Sequence, residues 1–144
     1  MTVPELPADI AALKERVGRF VAEEVYPIEE RIALRGSLDW AEIDELRAKA
    51  RAAGFCQLNM PPELGGVGLS MLGQVALEEE AGKATNGLCF AVVERGPREL
   101  LEIATPEQAE RYVAPISRGE YREAWAITEP GAGSDVAAIS TTAV

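Results

Sequence analysis

Residues 121–138 read Tyr-Arg-Glu-Ala-Trp-Ala-Ile-Thr-Glu-Pro-Gly-Ala-Gly-Ser-Asp-Val-Ala-Ala, and the pattern of the chain changes at this segment. Its first half predicts a strand, because Trp125, Ile127 and the β-branched Thr128 suit a pleated, half-buried surface. A loop is predicted over residues 129–135, since proline lacks the donor that a ladder needs and glycine allows backbone angles that other residues avoid. The periodicity therefore changes from helical to extended here, and we place a domain boundary at the start of the segment.

The predicted loop has the composition of an anion or cofactor contact. Gly131 and Gly133 let backbone N–H groups approach a ligand closely, and Thr128 and Ser134 add hydroxyl donors. Such a loop could hold a phosphate or the polar edge of a planar cofactor. Ordinary strand-ending turns have the same composition, so the residue types leave both interpretations open.

Composition excludes several classes of protein. The chain has 144 residues, of which 47% are hydrophobic and 26% charged, the profile of a globular domain with its own core. The net charge of −10 argues against nucleic acid as a partner, because phosphate binding needs a basic face. Histidine is absent, so this chain alone cannot carry a Ser-His-Asp triad, a Cys-His site or a histidine-ligated metal.

The two cysteines indicate the compartment. Cys56 and Cys89 lie in apolar contexts without metal-type spacing, and both are expected to be reduced core residues. No run is apolar and long enough to span a bilayer, and the N-terminus has no secretory pattern. We therefore expect a cytoplasmic protein with no membrane insertion and no metal site.

The N-terminal part of the chain predicts helices. Apolar residues recur at three- and four-residue spacing over 9–34, 39–53 and 71–84, which is typical of amphipathic helices. Pro27 is expected to kink or end the first of them. In the third, Met71, Leu72, Val75, Ala76 and Leu77 are expected to be buried.

Further helices are predicted toward the boundary. Arg98–Ile103 form a short one, and the capping box Thr105-Pro106-Glu107-Gln108 begins another. Residues 136–144 predict a second strand. The predicted fold is therefore mainly α: a helical domain of about five to six helices over 1–120, followed by the opening strands of a β domain over 121–144.

A continuous apolar run occupies residues 88–93. It could be a buried strand or a buried helix, and periodicity alone does not distinguish the two. We predict a central helix, because the segments on both sides are helical and no parallel strand partners are present.

Two charge clusters need no ligand. Arg47, Lys49 and Arg51 lie in the last turns of the second helix, where cations complement the helix dipole. The carboxylates of the run Glu78-Glu79-Glu80 could raise one another's pKa and serve acid–base chemistry, but a solvated face or salt bridges between domains are the preferred interpretation.

The segment Thr128-Glu129-Pro130-Gly131-Ala132-Gly133-Ser134-Asp135 resembles the signature segment of the acyl-CoA dehydrogenases. The Pro- and Gly-rich connector over 61–69 and the Pro-Glu-Gln helix start resemble the same family. The resemblance implies a helical N-terminal domain, a middle β domain that contacts FAD, and a C-terminal four-helix domain. This chain would hold the first and only the opening strands of the second.

The resemblance also implies roles for individual residues. Thr128 would donate its hydroxyl to the polar edge of the flavin. Trp125 and Ile127 would pack on the ring system or bond to it through backbone groups. Gly133 and Ser134 would reach toward the pyrophosphate, and Ser134 would also lie near the acyl-CoA substrate.

A helix at the position of the apolar run lines the acyl-chain pocket in the resembled family. Cys89, Phe90 and Val93 are therefore candidate substrate contacts, although plain core residues would show the same pattern. The implied reaction is α,β-dehydrogenation of an acyl-CoA thioester, in which a carboxylate removes the α proton while a hydride leaves the β carbon for the flavin. The catalytic glutamate of the family lies downstream, so no residue of this chain is predicted to be catalytic and the chain alone is expected to be inactive.

The implied partners are an acyl-CoA substrate, an electron-accepting flavoprotein and, in the complete protein, further copies in a homo-oligomer. Two other interpretations stay open. One is a non-catalytic helical interaction module or one chain of a split flavoprotein, and the other is an acyl-CoA oxidase or related flavin monooxygenase.

Overall fold

The computed structural model describes residues 5–142, and six helices make up the architecture of this part of the chain. Their bounds are 8–35 for α1, Trp40–Ala52 for α2, Met71–Ala81 for α3, Cys89–Val92 for α4, Arg98–Ile103 for α5 and 106–117 for α6. Two 3₁₀ turns lie at Pro62–Leu64 and Val136–Ala138. The mainly helical prediction is confirmed.

Two helices contain a wide turn next to a proline. In α1 the π-helical turn Val21–Val25 lies just before Pro27, and in α6 the π-helical turn Ala109–Val113 lies just before Pro115. Proline has no N–H to donate, and its ring clashes with the carbonyl four residues earlier. A wider turn accommodates both effects, so α1 continues past its proline to Arg35 instead of ending there.

The core lies between α1, α2, α3, α4 and the segment that follows α2. Val17 and Val25 of α1, Leu77 of α3 and Val92 of α4 are fully buried in one cluster. The segment over 55–60, just before the Pro- and Gly-rich connector, runs through this core, and all of its residues are buried.

Hydrogen bonds join this segment, at Asn59, to Gly96 just before α5. The side-chain amide of Asn59 donates to the Gly96 carbonyl at 2.8 Å, and the Gly96 N–H donates to Asn59 Oδ1 at 2.7 Å. Gln57 is buried beside this pair, with a φ of 57°. A Cβ at Gly96 would lie 2.0 Å from Gln57 Oε1, so the absence of a side chain allows the close approach.

Residues 5–142 contain no strand, only the isolated bridges Cys56–Glu94 and Glu129–Ala132. Trp125 and Ile127, predicted in a strand, lie on an exposed segment without ladder partners. The predicted second strand contains the 3₁₀ turn, and its last two residues, 143–144, lie outside the described residues, as do residues 1–4. A strand requires a paired neighbour, and this part of the chain supplies none.

Two predictions about burial were also wrong. Met71, Leu72 and Val75 of α3 are 62%, 47% and 51% exposed, and Phe90 of α4 is 74% exposed. Helix α4 is a single turn, because positive φ angles at Asn86 and Gly87 precede it and the chain after it is extended. Helix α4 is therefore buried on one side only.

No helix within residues 5–142 has the length and apolar character that a membrane span requires.

Candidate functional site

An open cleft of about 730 Å³ lies beside α4. Its lining includes Cys89, Phe90 and Val93 and, from the segment after α6, Trp125. The structure thus brings the three implied acyl-pocket residues together with one implied FAD contact. Ala124, Gly82 and six charged residues complete the lining: Arg47, Glu78, Glu94, Arg95, Arg122 and Glu123.

The arginines of the cleft are paired with carboxylates. Arg95 binds both carboxylate oxygens of Glu78, at 2.6 and 2.8 Å. Arg47 donates to Asp44 at 3.1 Å, and Arg122 donates to the same carboxylate. An anionic ligand would therefore have to displace an ion pair, so the cleft favours an apolar group.

Glu123 is the unusual carboxylate of the cleft. Partial burial, together with the negative charges of Glu94 and Glu99, raises its pKa. It makes no ion pair with any residue in the described range. This carboxyl group therefore takes up a proton more readily than an ordinary glutamate does.

The other charged residues of the two charge clusters contact groups within the domain. Glu79 accepts from Lys14 at 2.5 Å, and Lys49 donates to Glu24 at 2.8 Å. Arg51 donates to the Ser117 carbonyl at 2.8 Å, which ties α2 to the end of α6. The carboxylates of the 78–80 run thus form their ion pairs within the helical domain.

The loop after residue 128 is closed by one glutamate. Backbone groups of Glu129 and Ala132 exchange hydrogen bonds at 2.8 and 3.1 Å. The Glu129 carboxylate accepts from the N–H and hydroxyl of Ser140, both at 2.9 Å, and from the N–H of Thr141 at 3.0 Å. Hydrogen bonds from Thr141 and Ser140 lower the pKa of Glu129 to about 2, so it is ionised at neutral pH.

The remaining implied cofactor contacts lie on this loop or just before it, outside the cleft lining. Ile127, Thr128, Gly133 and Ser134 are all exposed. Within residues 5–142, the hydroxyls of Thr128 and Ser134 make no hydrogen bond. A Cβ at Gly133 would meet no atom within 4 Å, so the loop faces open space. This donor set fits the acceptor-rich edge and pyrophosphate of a flavin dinucleotide.

Sequence reasoning missed the charged rim and the role of Glu129. Arg95 and Glu78 are 17 residues apart, and Glu129 lies 11 residues before Ser140. Neither spacing belongs to a local motif. The one available signal was a carboxylate at the start of a loop whose far end carries hydroxyl residues. No group of three or more metal-ligating side chains lies together in the described part of the chain.

The two cysteines are expected to react differently with iodoacetamide. Burial raises the pKa of the Cys56 thiol to about 11, whereas Cys89 is only half-buried and lines the cleft. Alkylation requires the thiolate, so at pH 8 the native protein should be labelled at Cys89 and not at Cys56. Peptide mass spectrometry measures this, with urea-unfolded protein, labelled at both, as the control. Faster labelling of Cys56 would contradict the structure.

The comparisons with known proteins identify the family. The sequence model of the acyl-CoA dehydrogenase N-terminal domain matches residues 7–120. The chain belongs to the acyl-CoA dehydrogenase family, and its helices form the N-terminal domain of that family.

Individual relatives are similar over nearly the whole chain. (R)-Benzylsuccinyl-CoA dehydrogenase of Thauera aromatica is 34% identical over 92% of this chain and 36% of its own length. A solved structure of acyl-CoA dehydrogenase from Geobacillus kaustophilus superposes with a TM-score of 0.73 and 25% identity, covering 96% of this chain and 36% of that one. A chain from work on the electron transferring flavoprotein of Acidaminococcus fermentans superposes with a TM-score of 0.74 and 30% sequence identity. The match covers 95% of this chain and 36% of that one. The chain thus spans about 36% of each.

Proposed function

We propose that the chain forms the helical domain and the first flavin-contacting loop of an FAD-dependent acyl-CoA dehydrogenase, with the domain boundary near residue 120. The observation that carries this proposal is the cleft beside α4. The cleft is lined by Cys89, Phe90 and Val93 and also by Trp125, which stands just before the signature segment. An apolar acyl chain suits this cleft because the arginines around it are already paired.

Residues of the loop would hold the cofactor. The Thr128 hydroxyl donates to the polar edge of the flavin, and Trp125 and Ile127 pack against its ring system. Gly133 and Ser134 provide N–H and hydroxyl donors for the pyrophosphate. FAD, when bound, supplies the two-electron acceptor for α,β-dehydrogenation of the acyl thioester. The catalytic carboxylate belongs to the part of the family fold that follows these residues.

The proposal extends to partners. The substrate is an acyl-CoA, Ser134 lies near it, and the electrons pass to an electron-accepting flavoprotein. The similarity to a chain from a flavoprotein study supports the last point. We place the complete enzyme in the cytoplasm, where its free thiols stay reduced. We also propose that it is a homo-oligomer.

The test is to express the product of the complete reading frame and to record its visible spectrum. We expect a yellow protein whose flavin absorbance falls when an acyl-CoA is added without oxygen. The 144-residue chain alone is expected to show no turnover. A colourless product that ignores added FAD would contradict the proposal.

Phe90→Ala should separate substrate binding from folding. Phe90 is 74% exposed in the cleft, so truncation should leave stability unchanged while removing apolar contact with the acyl chain. We expect about tenfold weaker acyl-CoA binding by the flavoprotein, equivalent to about 1.4 kcal/mol, with unchanged FAD content. Leu34→Ala is the control, because Leu34 is 90% exposed and outside the cleft. Equal affinity in both variants would exclude Phe90 from the acyl site.

A further inference from the structure

We infer that Glu129 is a positioning residue: its carboxylate holds the loop over 130–139 closed, so that Thr128 and Ser134 meet the flavin in a fixed geometry. The inference rests on the proposed function and assigns a role to a residue that would not itself touch the cofactor. Glu129 lies between these two donors in sequence, and it is the residue through which both ends of the loop are joined.

The geometry of the closure is specific. At the near end, the backbone of Glu129 pairs with Ala132, whose side chain is 2% exposed. At the far end, the carboxylate binds the backbone N–H groups of Ser140 and Thr141 and the hydroxyl of Ser140, at 2.9 to 3.0 Å. One side chain therefore fixes the distance across ten intervening residues.

Packing does not fix this loop. Over residues 130–139 only Ala132 is buried and Ile139 is half-buried, while the rest are exposed. The helical domain contacts the preceding segment through the Arg122–Asp44 ion pair, well before the loop begins. Without the carboxylate, the exposed loop would gain conformational freedom, and binding would have to remove that freedom again.

The carboxylate also determines which donors remain for a ligand. The N–H groups of residues 140 and 141 would form an anion site, but Glu129 already occupies them. The hydroxyls of Thr128 and Ser134 make no hydrogen bond within residues 5–142. The internal carboxylate thus satisfies the far end of the loop and leaves the donors near the signature glycines available.

The closure is tested first on the 144-residue chain by NMR. An N–H that donates to a carboxylate resonates downfield, so Glu129→Ala should move the Ser140 and Thr141 amide protons upfield. Glu129→Gln, which keeps a carbonyl acceptor, should move them less. Glu30→Ala removes an exposed carboxylate from α1 and should leave both unchanged. Unchanged amide shifts in Glu129→Ala would overturn the inference, whatever the protein binds.

The positioning role is tested on the complete protein by titrating the apoprotein with FAD. We expect Glu129→Ala to weaken FAD binding at least tenfold. The FAD affinity of Glu129→Gln should lie between those of Glu129→Ala and the wild type, and that of Glu30→Ala should equal the wild type. Moved amide shifts with unchanged FAD affinity would overturn the positioning role and leave the proposed function standing. A wild-type protein that binds no FAD would overturn both, and the amide shifts would still show whether Glu129 closes the loop.

Discussion

Replacing Gly66 by alanine is expected to destabilise the protein by about 3 kcal/mol. A Cβ at this position would lie 2.0 Å from the carbonyl oxygen of Met60 and 2.4 Å from its carbonyl carbon. Both are backbone atoms, and the same oxygen accepts the Gly68 N–H at 2.9 Å, so moving it disturbs a second contact. Met60 is fully buried, which prevents relief by outward movement.

Two further glycines separate steric contact from backbone strain. Gly131→Ala meets no atom within 4 Å and should change the free energy of unfolding by less than about 0.5 kcal/mol. Gly65 is equally open but has a φ of 80°, so Gly65→Ala should cost about 1 kcal/mol from strain alone. Urea denaturation of the three variants measures their free energies of unfolding, and the expected loss falls from Gly66→Ala through Gly65→Ala to Gly131→Ala. A Gly66→Ala variant as stable as Gly131→Ala would contradict the close contact between Gly66 and the backbone of Met60.

Local signals in the sequence predicted the helices well. In the capping box, the Gln108 N–H donates to the Thr105 hydroxyl at 3.3 Å, and the Thr105 N–H donates to Gln108 at 2.9 Å. Such contacts join residues three apart, so the sequence contains everything they need. The acyl-CoA dehydrogenase resemblance, which also depends on short motifs, was confirmed in the same way.

The predicted strands and the burial pattern depended on distant parts of the chain. Trp125 has the chemistry of a strand residue, but a strand forms only where a second one pairs with it. Val75 belongs to an apolar stretch of α3, and the sequence alone does not say which side of such a stretch faces the core. Both differences have the same cause. Secondary-structure propensity is a property of the residue itself, whereas strand pairing and burial depend on which other residues lie next to it in the fold.

The candidate site was predicted in part for the same reason. The resemblance selected Cys89, Phe90, Val93 and Trp125, and the structure places all four on one cleft. It did not select Arg95, whose contact with Glu78 depends on how α3 packs beside the segment after α4. Motif matching thus selected residues that lie together in the structure, while the ion pairs beside them depend on the packing.

Helix α3 provides the other large expected effect, at Leu77. This side chain is fully buried in the core cluster, so Leu77→Ala removes its packing and leaves a cavity. We expect a loss of about 3 kcal/mol in the free energy of unfolding, within the range of about 2 to 5 for such truncations. Urea denaturation monitored by circular dichroism measures it.

Val75→Ala is the matched control on the same helix. Val75 is 51% exposed two residues earlier, so its truncation should cost no more than about 0.5 kcal/mol. Equal losses at both positions would mean that the whole apolar stretch is buried, as the sequence pattern predicted. The distinction matters for the cleft, because Glu78 follows Leu77 directly and pairs with Arg95 at the rim. The burial of Leu77 therefore sets the rotation of α3 that brings Glu78 to Arg95.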